Sequence, residues 1–188
     1  MSKIILASKS PRRKELLELL NVDFEIISAD IDETIDPTLP ISDEIARLSF
    51  EKACEVAKHT SDDAVIISAD TIVELNGKVM GKPKDELDAA KMLKSLSGNT
   101  HNVLTAVTVM RGKKHNTQVV TTAVTFRKLE DTEIFDYIKT KEPMDKAGGY
   151  GIQGIASKFV SRIDGDYYSV VGLPVCTLSV MLKDFDIN

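Results

Sequence analysis

The segment Leu6-Ala7-Ser8-Lys9-Ser10-Pro11-Arg12-Arg13 gathers hydroxyls and cations where an apolar run gives way to a helical pattern. Ser10 suits an N-cap and Pro11 the first helical position. A helix that starts there presents free backbone N–H groups and the positive end of its dipole. Ser8, Lys9, Ser10, Arg12 and Arg13 surround that terminus, which reads as an anion cradle following a strand. The plainer reading is a set of solvated side chains. Cations at a helix N-terminus oppose the dipole by ~0.3–1 kcal/mol each, so two adjacent arginines without an anionic partner make little structural sense. The segment is not a Walker A loop, because the glycine-rich lysine motif is missing.

Asp70 lies inside the apolar run Val65-Ile66-Ile67-Ser68-Ala69-Asp70-Thr71-Ile72-Val73. A lone carboxylate there is costly unless it is paired or bound to a metal. A salt-bridged core aspartate, or a strand that breaks at this point, would also account for it. A second acidic element, Asp30-Ile31-Asp32-Glu33, follows the next apolar run. Acidic loops are usually solvated, and this one gains meaning only from position. In sheets built from βα units, strand ends gather on one edge, where ligands bind. Mg²⁺ or Mn²⁺ on a polyphosphate needs only one or two protein carboxylates, and Asp70 and Glu33 would meet that need. The three histidines, His59, His101 and His115, are scattered without metal-ligand spacing.

Lys82, in Gly81-Lys82-Pro83, follows a hairpin signal that turns the chain back toward Asp70. It reads equally as a phosphate neutraliser or as an ordinary surface lysine. Lys52 lies at the margin of a helical apolar face and reads by itself as solvated. The segment Lys146 to Gly154 carries four glycines. They let backbone approach a ligand, with the Gln153 amide free to pair with a base edge, or they serve a tight structural turn.

These groups need elements to position them. Strands are expected over residues 3–8, 23–29, 64–75, 101–111 and 117–128, and helices over 11–20, 42–59, 86–96, 132–141 and from Pro174 to about 184. Asn76-Gly77 predicts a type I′ hairpin turn. Asp85 suits an N-cap, and Gly98 a helix stop. Arg111 to Lys114 reads as a hairpin loop, and Asp164-Gly165-Asp166 as a second hairpin. The pattern is α/β, a mixed twisted sheet with flanking helices. With 188 residues, 43% hydrophobic and 28% charged, the chain suits a soluble protein. No apolar run approaches the roughly 20 residues of a membrane span. The N-terminus reads as a first strand and not a signal peptide, so a cytoplasmic location is expected. Cys54 and Cys176 fall in helical segments and read as partly buried free thiols.

Taken together, Leu6-Ala7-Ser8-x-Ser10-Pro11-Arg12-Arg13-x-Glu15-Leu16-Leu17, Ser68-Ala69-Asp70-Thr71 and Gly81-Lys82-Pro83 resemble signatures of the Maf family. So do Leu96-Ser97-Gly98-x-x-His101-x-Val103-x-Thr105, Glu142-Pro143-x-Asp145-Lys146-Ala147-Gly148-x-Tyr150-x-Ile152-Gln153-Gly154 and Val170-Val171-Gly172-Leu173-Pro174. The matches run in order along nearly the whole chain. The resemblance implies a single domain over residues 1–188 with a fold like that of inosine triphosphate pyrophosphatase, two lobes around a cleft, often dimeric. It implies hydrolysis of nucleoside triphosphates to monophosphate and pyrophosphate with a divalent metal such as Mg, Mn or Co. Asp70 matches the family's catalytic acid/base, and Ser8, Arg13, Glu33, Lys52 and Lys82 match positions lining its active site. Arg12, Thr71 and Gln153 match positions that separate substrate subgroups, and the combination resembles the subgroup acting on dTTP and UTP rather than 7-methyl-GTP. Gly149 departs from the alanine or other small residue usual there.

Two rival readings follow from the same residues. One is a nucleic-acid-binding or septum-formation regulator that acts by contact. The net charge of −5 and the absence of Trp offer it neither a basic face nor a stacking platform. The other is a phosphatase that releases single phosphates. The expected partner is therefore a nucleoside triphosphate, with no membrane and no nucleic acid.

Overall fold

Val65–Leu75 is the strand on which the rest is built: residues 65–69 are buried without alternation, as in a strand covered on both faces. In the computed structural model, which describes residues 3–36 and 38–187, it is the third strand. The elements are β1 (Ile4–Leu6), α1 (Pro11–Glu18), β2 (Phe24–Ile26), α2 (Ile41–Ala57), β3 (Val65–Leu75), β4 (Lys78–Met80), α3 (Glu86–Leu96), β5 (Thr100–Arg111), β6 (Lys114–Phe126), α4 (Asp131–Lys139), β7 (Val160–Asp164), α5 (Tyr167–Val171) and α6 (Val175–Lys183). Short 3-10 helices cover Glu142–Asp145, Ala147–Gly149 and Ile155–Phe159. The strands form one seven-stranded mixed sheet in the order β2-β1-β3-β5-β6-β7, with β4 paired to β3. β1 is parallel to β2 and β3, whereas β4 and β7 run antiparallel to their neighbours.

Most elements fall close to their expected positions, although the strand expected over 23–29 is only Phe24–Ile26. Lys114 is a strand residue, so the β5–β6 turn narrows to Gly112-Lys113. Asp164-Gly165-Asp166 does not open a hairpin. The Asp166 carboxylate accepts from the amides of Tyr168 (2.8 Å) and Ser169 (3.3 Å), which starts α5 instead. Cys54 is half-buried as expected, but Cys176 is exposed on α6. Met1 and Ser2 of the N-terminal reading lie outside the described residues. Asn76 and Gly77 both have positive φ (53° and 79°), as a type I′ turn requires.

Contacts divide the chain into two units. The first comprises residues up to Asp70, Thr105–Val120 and the chain from Gly172; the second comprises Thr71–Leu104 and Thr121–Val171. In the first, α2 lays Ala53 and Val56 on Ile5, Ala7, Ile66 and Met110. Fully burying each of the larger side chains contributes about 1.5–3 kcal/mol. In the second, α3 packs on α4 through Ala89, Leu93 and Leu96 on one side and Ile134, Tyr137 and Ile138 on the other. In the same unit His101, Phe126 and Tyr150 meet edge to face, with centroids 4.8–5.4 Å apart. No helix among the described residues is long and apolar enough to cross a membrane.

His101 is 2% exposed and its Nε2 lies 2.7 Å from Tyr150 Oη, while Nδ1 has no hydrogen-bond partner among the described residues. An imidazolium here would bury a second, unanswered N–H. Burial accordingly pushes the His101 pKa down to about 4, against a weaker opposing pull from Glu74. The native state thus resists a proton that the unfolded chain takes up below its ordinary pKa of about 6.5. Stability from this residue is complete above that pH and declines as pH falls from 6.5 toward 4. Urea unfolding of wild type should lose about 2–3 kcal/mol more over that window than His101→Phe does. Parallel curves for the two proteins would show that His101 is not buried as a neutral base.

Candidate active site

The first turn of α1 has the geometry its sequence anticipates. Ser10 caps the helix by accepting from the Arg13 amide at 3.5 Å, Pro11 opens it, and Ser8 Oγ accepts from the Ser10 amide at 3.1 Å. Ser8 is buried, immediately beyond the end of β1. The Ala7 amide donates to Ile67 O at 2.7 Å, which fixes this corner to β3 three residues before Asp70. Arg13 Nε donates to Gly172 O at 2.8 Å. Burial lowers the Arg13 pKa, opposed by the charges of Asp70 and Glu33 and reinforced by that of Arg12. The guanidinium stays charged, because arginine does not deprotonate in proteins. Those same influences place Arg13 within electrostatic reach of both carboxylates. Arg12 is half-buried beside it.

Asp70 ends the buried run of β3, and the structure gives it a partner. Lys52 Nζ donates to Asp70 Oδ1 at 3.0 Å and lies 2.7 Å from Glu33 Oε1. The Lys52 side chain is 9% exposed and Asp70 14%, whereas Glu33 is 53% exposed. The solvated reading of Lys52 is therefore wrong. Its aliphatic stem follows the apolar face of α2 inward, and its head meets two carboxylates at the end of that face. The paired reading of Asp70 is the one the structure shows, and the same ammonium also holds Glu33.

Several residues without a sequence-based assignment hold this group in place. Ser68 Oγ donates to Ser49 O at 2.6 Å, which pins α2 to β3 one helical turn from Lys52. Ser49 Oγ continues to Thr108 Oγ1 (2.9 Å), and that hydroxyl to Thr117 Oγ1 (2.9 Å). The acidic loop carrying Glu33 is stapled to α2. Glu44 accepts from the Asp36 amide at 2.7 Å and from Arg47 at 2.8 and 2.9 Å, and Arg47 Nη2 donates to Thr34 O at 2.9 Å. The Arg47 guanidinium and the Asp36 amide hold the Glu44 carboxyl down at about 2. Glu44-x-x-Arg47 at a helix start, and the Asp32-x-Thr34 and Asp36-x-Thr38 turns, were the available signals.

Thr71, Lys82 and Gln153 belong to the second unit. Thr71 is half-buried, and Lys82 and Gln153 are exposed. The Gly148 amide donates to Gly81 O at 3.0 Å, and Gly149 lies against Pro83, so the glycine segment and Gly81-Lys82-Pro83 are one local structure. Gly148 has φ 69°, and a Cβ there would press on Val73 at 3.0–3.1 Å. The glycines thus serve a tight turn, and Gln153 is carried on it.

Two carboxylates converge on one ammonium, and their oxygens are the donor type that Mg²⁺ and Mn²⁺ prefer. Two protein ligands do not close a coordination shell, so this donor set fits a cation that also takes phosphate oxygens and water.

The model of the Maf family, described as Maf-like protein, matches residues 3–185. A protein of Bacillus cytotoxicus named dTTP/UTP pyrophosphatase is 50% identical over 186 residues, covering 99% of this chain and 97% of that one. One of Alkaliphilus oremlandii with the same name is 51% identical over 191 residues, covering 100% and 99%. Among solved structures, the Ham1 protein of Staphylococcus aureus superposes with a TM-score of 0.53 at 15% identity, covering 97% of this chain and 99% of that one. Protein VC0702 of Vibrio cholerae gives 0.52 at 10% identity, covering 98% and 96%. These two likenesses show the fold. With its family model matched over almost its whole length and relatives at half identity end to end, this chain belongs to the Maf family.

Proposed function

We propose that this protein hydrolyses dTTP and UTP to the nucleoside monophosphate and pyrophosphate. The observation that carries this is the Lys52 ammonium between Glu33 and Asp70, whose charges also act on Arg13 in the first turn of α1. Relatives named dTTP/UTP pyrophosphatase, half identical over the full chain, support the choice of substrate.

In this mechanism water forms a bond to the α-phosphorus while the bond to the bridging oxygen breaks, and pyrophosphate leaves with the electron pair. Asp70 orients the water and accepts its proton. Lys52 donates to Oδ1 of that carboxylate and fixes its orientation. Ser8, Ser10 and the free amides of α1 receive phosphate oxygens, and Arg13 and Lys82 neutralise their charge. Glu33 and Asp70 would hold a divalent cation, Mg²⁺, Mn²⁺ or Co²⁺, which would supply Lewis-acid charge stabilisation to the polyphosphate and acidify water. Gln153 reads the pyrimidine, and Arg12 and Thr71 are the other residues matched to positions that separate substrate subgroups. One methyl in a pocket is worth only ~1–3 kcal/mol, so acceptance of both uracil and thymine follows naturally.

Asp70→Asn should reduce kcat on UTP by about 10²–10⁴-fold while nucleotide still binds, measured by pyrophosphate release and by equilibrium titration. Near-normal turnover would remove Asp70 from the chemistry, and inorganic phosphate as the first product would overturn the α-phosphate assignment. Arg13→Lys tests the cradle separately. It keeps the charge but loses the Nε bond to Gly172 O and the planar fork, so kcat/KM should fall by about tenfold or more with little change in melting temperature. An unchanged kcat/KM would take Arg13 out of phosphate binding.

A further inference from the structure

Gln153 stands on a turn, Gly151–Gly154, closed by the Gly154 amide to Gly151 O at 3.1 Å. Both flanks of this turn are gripped by a single pair of side chains. Tyr137 Oη donates to Glu142 Oε1 at 3.0 Å and accepts from the Gly151 amide at 3.3 Å. Glu142 Oε2 accepts from the Ile155 amide at 3.1 Å. Each end of the arc around Gln153 is thus anchored two residues from it. Tyr137 is 1% exposed and comes from α4, so the anchor itself is set in the core. Burial, with the Glu142 carboxylate beside it, pushes the Tyr137 hydroxyl pKa up, and the group remains a donor.

The local glycines fit this clamp. A Cβ at Gly154 would collide with Glu142 Oε1, and one at Gly151 would meet the Lys146 stem at 2.7 Å. Lys146 in turn donates to Glu142 O at 2.8 Å and pairs with Asp145 at 2.6 Å. A turn whose backbone is held at both ends presents its side chain from a fixed base, which improves an exposed amide's discrimination without adding a contact.

We propose that the Tyr137–Glu142 pair is a positioning device that presents the Gln153 amide and thereby sets base selectivity. This rests on the reading of Gln153 as the base reader. Both clamp residues act through the backbone of the turn.

The test is the ratio of kcat/KM for UTP over CTP in Gln153→Ala, Tyr137→Phe, Glu142→Gln and the double variant Tyr137→Phe/Gln153→Ala, each checked for folding by thermal melting. Gln153→Ala should lower the ratio by about tenfold. Tyr137→Phe, which loses both the donor to Glu142 and the acceptor for Gly151, should lower it by about three- to tenfold. Glu142→Gln keeps one amide oxygen for the Ile155 N–H and should fall between wild type and Tyr137→Phe. In the double variant the second substitution should add nothing to the ratio, because both act through one amide. A purely structural role would lower kcat/KM for both nucleotides equally and leave the ratio alone. A changed ratio in Gln153→Ala with wild-type ratios in both clamp variants overturns the positioning role and leaves the proposed function standing. An unchanged ratio in Gln153→Ala sinks the base-reader assignment and this inference with it. Should Glu142→Gln not fold, Tyr137→Phe decides alone.

Discussion

The Lys52 ammonium between Glu33 and Asp70 is the constraint on which the site depends. A carboxylate at the end of an apolar strand is tolerated only where a cation and hydrogen bonds answer it, since removing one partner of such a pair typically costs 3–5 kcal/mol when it is fully buried. Here the burial is partial: Asp70 is 14% exposed and Glu33 remains 53% exposed, so the penalty is smaller. The arrangement suits a site that must exchange partners. With Arg13 counted, two cations face two carboxylates, and the group is balanced before any ligand arrives. A triphosphate brings several further negative charges, which is why a divalent cation is part of the proposed mechanism and not an addition to it.

That geometry needs a fixed register between α2 and β3, and it is polar groups in the core that fix it. Apolar contacts such as Ala53 and Val56 on Ile66 fill volume but tolerate sliding. The bond from Ser68 Oγ to Ser49 O, and the hydroxyl sequence through Thr108 to Thr117, do not. Ser49, Ser68 and Thr108 are fully buried, and each has a partner. A shift of α2 by one residue would orphan these hydroxyls at about 1–3 kcal/mol each and carry Lys52 off Asp70. Register and charge pairing are therefore one device. The Glu44–Arg47 staple does the same for the loop that brings Glu33.

What could be read from the sequence was whatever local rules decide. Ser10 and Pro11 announce a helix start whatever surrounds them, and Asn76-Gly77 announces a type I′ turn, so both appear where expected. Asp70 was legible as an anomaly, because a strand pattern has no use for a carboxylate. Its partner was not. Lys52 is 18 residues away, and helical periodicity says which face it borders but not what lies over that border. Glu44 was hidden for the opposite reason: an acid in the first turn of a helix looks like ordinary dipole complementation, and nothing local shows that it is fully buried. At Asp164-Gly165-Asp166 the turn residues were read rightly but the continuation was not. Asp166 caps α5, and a capping aspartate and a hairpin aspartate look alike until the next residues choose.

The two kinds of residue also differ in how they are held, and this follows from what each must do. In the proposed reading Lys52 and Arg13 act through charge, which falls off slowly with distance, and an ion pair tolerates small displacements. Gln153 acts, in the proposed reading, through directional hydrogen bonds that weaken steeply once their angle is lost. A net hydrogen bond is worth about 1 kcal/mol, a margin that side-chain disorder alone can erase. An exposed amide on a glycine turn would be a poor reader if the turn were free. The Gly151 and Ile155 amides are not free, because Tyr137 and Glu142 hold them. Glycine supplies the close approach and the pair set on buried Tyr137 supplies the rigidity, so the same segment can be both the tight structural turn and the base-facing loop that its composition suggested.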